Sequence, residues 1–427
     1  MKKIRLQGLD KDLYQDTLSN GLSIYMLPYE EKNNYFISYA TKYGSDVTNF
    51  ILEGKENSVP LGVAHYLEHK MFEEPSGEDP FTFFSRSGSD GNASTSYDYT
   101  QYICVGNKCF PENLRYLLQF VNEPYFTDEN VLKEKGIISE EIKMYNDLPD
   151  YKLEMKLREN VYHTSAKRYD IAGTISEIKR ITKDDLYHCY HAFYTPNNMF
   201  VLITGKFDVE EAHRIIEEEL GKKKSKPLPK ILFVKEPKKV VKEEETIVGD
   251  VEIPKIGFAI KVPKKSISLT GLECDLYLNM LTTILFGSSS EFKERVRQDK
   301  ILNDIYMEWE DDAEFKTFYL LASSTEPDRL LSEIQYELSH ISIVKKTLER
   351  IKKVWIANEV KMIDHVDKMQ NILFDDIIHY GDVVDNRIEV IRNMDVKTMT
   401  SLVKKIDMSE VSIVKMMQKK NKEIMDS

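Results

Sequence analysis

The sequence predicts an α+β protein of two related domains, each a mostly antiparallel sheet covered by helices on one side. Three observations carry that expectation. Alternating apolar runs that read as strands are interleaved with apolar runs of helical period. The same order of elements recurs in both halves of the chain. Between them, the stretch from Lys222 to Lys230 carries Pro227 and Pro229 among like charges, and Lys and Glu runs continue to Glu245. Such a segment reads as an extended, solvated connector. The predicted divisions are a first domain at 1–222, a linker at 223–245 and a second domain at 246–427.

In the first half a strand is predicted near 36–42, then helices near 61–72 and 80–86. Alternation from Ala93 to Val105 predicts two strands with Asp98 near their junction. Helices are predicted near 111–122, 129–145 and 183–193, and a strand near 199–204 closes the unit. The second half opens with a strand near 256–262 and helices near 272–286 and 290–298. Strands near 305–309 and 315–322, several helices and a last strand near 411–415 complete it.

Composition narrows the function. The chain has 427 residues, with 59 Lys and Arg against 71 Asp and Glu, a formal charge of −12. With no cationic excess to neutralise phosphates, no nucleic-acid partner is expected. No apolar run approaches the roughly 18–20 residues that span a bilayer, so no membrane partner is expected either. The opening MKKIRLQGLDKDLYQD has basic residues but no apolar stretch behind them, which predicts no secretory signal and a cytoplasmic location. Cys104, Cys109, Cys189 and Cys274 show no CxxC spacing and are too sparse for a disulfide framework.

The sharpest feature is His65-Tyr66-Leu67-Glu68-His69. On a helix, His65, Glu68, His69 and Phe72 share one face, while Val63, Leu67 and Met71 form a separate stripe fit for the core. Two imidazoles one turn apart can share a metal ion, and Glu68 stands beside it, where it can take a proton from water. With nine histidines in the chain, the motif alone is a hypothesis, and a hydrolytic zinc site needs a third ligand. The predicted helix at 129–145 carries Glu134, Glu140 and Glu141. Glu134 and Glu141, seven apart, lie within about 20° of each other after two turns, so one can bind metal while the other supports it. A merely solvated acidic face is the plainer alternative.

The inverted motif, with Glu141 in EKGIISEEIKMY, resembles the pitrilysin-type (inverzincin, M16) zinc metallopeptidases, a family that includes insulin-degrading enzyme and the mitochondrial processing peptidases. The resemblance extends through Gly91-Asn92-Ala93-Ser94-Thr95, Pro124-Tyr125-Phe126, Ile171-Ala172-Gly173-Thr174 and Tyr194-Thr195-Pro196-Asn197-Asn198-Met199. It covers essentially the first 205 residues and the second half more weakly, and it is nearest to half-length bacterial members that act with a second subunit. It implies a LuxS/MPP-like metallohydrolase fold and one zinc ion per chain held by His65, His69 and Glu141. Glu68 matches the family's general base, and Glu134 matches the acidic residue that supports the site from behind. Asn92, Ala93 and Thr95 match the strand that pairs with substrate backbone, although an ordinary edge strand reads the same way.

The reading is a zinc endopeptidase acting on peptides or small unfolded precursors. Its competitor is a non-catalytic peptide-binding or scaffold subunit of the same fold. Retention of two histidines, a base and a distant glutamate favours the enzyme. The matching helix of the second half, Asp275-Leu276-Tyr277-Leu278-Asn279-Met280, has no ligand pair. Self-sufficient members usually carry in the second domain an Arg followed seven residues later by a Tyr, which help stabilise the oxyanion. Here Arg297 is followed at that distance by Asp304, which as a carboxylate cannot donate, with nearby Tyr306 as an alternative. The expected partner is therefore a homologous, zinc-free subunit that supplies an intact Arg/Tyr pair in a heterodimer. Other signals carry no assignment. His188 and His191 around Cys189 read as packing and surface histidines, and Lys419, Lys420 and Lys422 read as solvated.

Overall fold

The computed structural model describes residues 1–6, 11–77 and 79–419, so Lys420 and Lys422 lie outside the described residues. Two compact units form, and neither is continuous in sequence. The first comprises Met1–Ile142, Tyr169–Phe233 and Ala357–Ile388; the second comprises Lys143–Arg168, Val234–Ile356 and the segment from Glu389 onward. This differs from the predicted cuts at 222 and 245, and the cause is burial. Each unit takes one helix from the other half of the sequence to cover its sheet.

In the first unit a seven-stranded sheet runs in the order Lys2–Arg5, Asp12–Thr17, Ser23–Pro28, Met199–Gly205, Tyr35–Thr41, Thr100–Gly106, Asp90–Thr95. Only Ser23–Pro28 against Met199–Gly205 is parallel. Every residue of Met199–Gly205 is buried, because both faces of the sheet are packed. One face holds the main core, with Leu114, Leu117, Leu186 and Ile216 from surrounding helices. The other is covered by helix Val366–Tyr380, whose Val366, Met369, Leu373, Phe374 and Ile377 recur at helical period. Coverage on one side only, as predicted, is therefore incomplete.

In the second unit a five-stranded sheet runs Glu244–Gly249, Val411–Gln418, Lys255–Pro263, Phe315–Ser323, Asp304–Asp311, with only the first pair parallel. Its second face is covered by helix Pro149–Val161 through Leu153, Leu157 and Val161. Among the described residues, no helix is long and apolar enough to cross a membrane.

The predicted linker is built into both units by its own segments. Lys230–Ile231 pairs with Asn49–Leu52 in a small three-stranded sheet. Further on, Glu236 is buried within the second unit and accepts backbone N–H groups from His163, Thr164 and Ser165 at 2.9, 2.7 and 2.9 Å. The fully buried Lys261 ammonium donates to Glu236 Oε1 at 2.6 Å. Burial opposes the Glu236 carboxylate, but these donors outweigh it and hold its pKa down from 4.5 to about 2.

A depressed folded-state pKa contributes stability above the unfolded value that is lost as pH falls through the folded one. A shift from 4.5 to about 2 corresponds to on the order of 3 kcal/mol. Wild type should therefore exceed Glu236→Gln in urea stability near neutrality, and the gap should close as pH falls from about 4.5 toward 2. Urea midpoints measured across that range check it; a gap independent of pH contradicts the assignment.

Candidate metal centre

Backbone packing, not a capping side chain, fixes where the motif helix Val63–Lys70 begins. Gly62 has φ of 84°, and a Cβ there would lie 2.2 Å from the Ala172 carbonyl oxygen. Gly173, with φ of 78°, makes the reciprocal approach, its Cβ position falling 2.5 Å from the Leu61 carbonyl oxygen. Only glycine fits either place. Val63, Ala64, Tyr66 and Leu67 then bury the opposite face. The Tyr66 hydroxyl donates to the Val131 carbonyl of the glutamate helix, Asp128–Asp147, locking the two helices together.

That docking brings three groups to one point. Ligand atoms of His65, His69 and Glu141 all lie within 4.8 Å of one another. His65 Nε2 is 3.9 Å from Glu141 Oε1, and His69 Nε2 is 3.5 Å from Glu141 Oε2. Tetrahedral bonds of 2.0–2.2 Å place zinc ligands about 3.3–3.6 Å apart, so one observed spacing falls within that range and the other slightly beyond it. His69 Nδ1 donates to Glu134 Oε1 at 3.0 Å. A carboxylate can only accept, which makes Nδ1 the protonated nitrogen and leaves the Nε2 lone pair facing Glu141.

The residues fit a cation on this structure's own evidence. Glu141 Oε2 is buried without a hydrogen-bond partner, and so is His65 Nδ1. A buried carboxylate oxygen facing an imidazole lone pair is unfavourable unless positive charge lies between them. Burial, with His69 alongside, pulls His65 down to about 3, so it is neutral as a ligand must be. Burial raises Glu141, and it raises Glu68 despite the hydrogen bond that Glu68 accepts. Burial also opposes charge on His69, but the hydrogen bond to Glu134 and the carboxylates around it prevail and raise it. Glu134 itself is lowered, its burial outweighed by His69 and Lys70.

Glu68 takes no part in the three-ligand cluster. Its Oε2 accepts from the Thr95 hydroxyl at 2.7 Å. Thr95 ends the strand Asp90–Thr95, which among the described residues is the outer strand of its sheet and pairs only with Thr100–Gly106. Ala93 N–H donates to the Asn92 side chain at 2.8 Å instead of to a neighbouring strand. The predicted substrate strand is thus an edge strand beside Glu68, and Thr95 has a contact with Glu68 that spacing did not reveal.

Among the described residues, no second group of three or more potential ligands forms. His188 stacks on Phe50 and His191 on Tyr187, as packing histidines do. In the second unit, Arg297 donates to Glu294 at 3.2 Å, Asp304 accepts from Ser323 at 2.6 Å, and the exposed Tyr306 donates to Glu308 at 2.7 Å. Arg297 and Tyr306 are each engaged with a carboxylate on their own element.

Comparisons with known proteins agree with this arrangement. A family model described as "Insulinase (Peptidase family M16)" matches residues 54–175, which contain every residue of the cluster. One described as "Peptidase M16 inactive domain" matches 180–377. A Bacillus subtilis protein named "Uncharacterized zinc protease YmfH" is 36% identical over 380 residues, 87% of this chain and 88% of its own. The crystal structure of a putative M16-like peptidase from Alicyclobacillus acidocaldarius matches with a TM-score of 0.91 at 28% identity, covering 97% of this chain and 100% of that one. The periplasmic protease PqqL from Escherichia coli shares the fold at a TM-score of 0.76 and 17% identity; 97% of this chain matches 48% of that one. With the inverted histidine motif, the distant glutamate and a relative alike over most of both lengths, this chain belongs to peptidase family M16.

Proposed function

We propose that this chain is a catalytic subunit, a zinc-dependent endopeptidase that cleaves peptides or small unfolded precursors. The observation that carries the reading is the division of labour among four side chains. His65, His69 and Glu141 converge on one point, while Glu68 stands next to them, uncommitted to the cluster and held by Thr95.

His65, His69 and Glu141 would hold one zinc ion, which supplies Lewis-acid polarisation of a carbonyl oxygen and makes water more acidic. Glu68 accepts the proton of the attacking water and returns it to the leaving amine. The Thr95 hydroxyl keeps the Glu68 carboxylate turned to that place. Glu134 holds the His69 ring in the tautomer that presents Nε2. The free edge at Asn92, Ala93 and Thr95 receives the substrate as an added strand, bringing a backbone carbonyl past the base.

A second, homologous subunit without a zinc motif completes the enzyme in this reading. Two observations support it. Asp304 stands seven residues after Arg297 and accepts from Ser323, so the two do not make an Arg/Tyr pair. The chain also spans about half the length of PqqL, the length expected of one half of a two-part peptidase.

Purified protein should contain about one zinc per chain, and His69→Ala should lose most of it; elemental analysis showing unchanged zinc in that variant removes the ligand assignment. Glu68→Gln should keep zinc and fold while peptide hydrolysis falls by about 100-fold or more, the scale of general-base catalysis. Hydrolysis by that variant at the wild-type rate means Glu68 is not the base. The isolated chain should bind zinc yet cleave peptides feebly, with activity restored by adding the partner subunit. Full activity from a rigorously pure single chain contradicts the two-subunit reading.

A further inference from the structure

Lys70 directly follows the second histidine of the motif, and its side chain is fully buried. A lysine in the last turn of a helix is favoured by the helix dipole, but that interaction asks only for proximity and is available at the surface. Burying an ammonium is costly unless anions surround it. Two do: Glu73 Oε1 accepts from Lys70 Nζ, and Glu134 Oε2 lies 3.6 Å away. Glu134 is also buried and uses its other oxygen on His69 Nδ1 at 3.0 Å. The four side chains form one line: Glu73, Lys70, Glu134, His69.

We propose that Lys70 is a positioning residue of the metal site, whose buried ammonium anchors Glu134 and so fixes His69 in the orientation that binds zinc. The inference rests on the zinc reading above. It follows from what each glutamate has left to give. Glu134 and Glu141 sit seven residues apart on the same helix, almost on one face, and are chemically identical. Glu134 Oε1 accepts from the His69 imidazole at 3.0 Å and its Oε2 faces the Lys70 ammonium at 3.6 Å, so its charge is already paired on the side away from the histidine lone pairs. Glu141 Oε2 has no hydrogen-bond partner. Helix level sets which carboxylate meets the histidine lone pairs, and Lys70 supplies the charge that holds Glu134 in the supporting place. Without it, Glu134 keeps a buried oxygen with no counter-charge, and its hold on His69 becomes one of several orientations.

The test is zinc affinity of the full-length chain, by competition with a chromophoric chelator, with urea unfolding to confirm that each variant is folded. Removing a group that orients a ligand costs about 10- to 100-fold in metal affinity, so Lys70→Met should weaken zinc binding by about 10-fold. Lys70→Arg, which keeps the charge, should recover most of the loss. Because Lys70 acts through Glu134, the double variant K70M/E134Q should bind zinc no more weakly than E134Q alone. Lys70→Gln is the second neutral variant should the Met variant not fold. Wild-type affinity in a folded neutral variant, losses that multiply in the double variant, or failure of both neutral variants to fold each overturns the proposal. If wild type itself binds no zinc, the zinc reading falls instead, so the two failures are distinct.

Discussion

The metal centre depends on how one helix is seated against another. Seven residues of α-helix advance about 10.5 Å and return to nearly the same face. Glu134 and Glu141 are therefore presented to the motif helix at two levels, one reaching the back of the His69 ring and the other its front. A slip of one residue would rotate both carboxylates by about 100° and remove both contacts at once. The register is held from the Tyr66 side, where a buried hydroxyl reaches the Val131 carbonyl, and from Gly62 and Gly173, where two backbones meet too closely for any side chain. The tolerance of the site is set by packing some distance from the chemistry.

That packing draws on the whole sequence. A sheet buried on both faces needs a second apolar layer, and in each unit a single helix from the opposite half supplies it. The result is a platform with its central strand wholly buried and the strand Asp90–Thr95 at one edge. An open edge invites unwanted pairing, and proteins usually blunt it. Here the outer strand is short and carries small and polar residues, with Asn92 returning its side chain to the Ala93 N–H.

The parts legible in the sequence are those whose signal is local. Helical spacing put His65, Glu68 and His69 on one face, and alternation from Ala93 to Val105 marked the strand pair that carries Thr95. The parts that were not legible depend on partners remote in sequence. Glu236 looks like one more charge in a Lys/Glu run; only the N–H groups of His163, Thr164 and Ser165, with Lys261, turn it into a buried anchor. Helix Pro149–Val161 buries its apolar residues at 153, 157 and 161 among charges, a stripe too narrow to announce which sheet it covers. Lys70 resembles a solvated end-of-helix cation until its burial is seen.

The second unit shows which residues the fold needs and which the chemistry needs. Its helix Gly271–Phe286 buries Leu276, Tyr277, Leu278 and Met280 where the first unit carries its motif. It forms without an imidazole or a ligand carboxylate at that place. The helix therefore packs without a metal-binding set, and the first unit's histidines, glutamates and buried lysine are an addition that this packing does not require. Their presence together has a cost in desolvation, since Glu68, Glu134, Glu141 and Lys70 are all withdrawn from water to some degree. Carboxylates gathered around two imidazoles, with a single ammonium set behind them, leave an excess of negative charge and lone pairs at one point. Such a point suits a divalent cation.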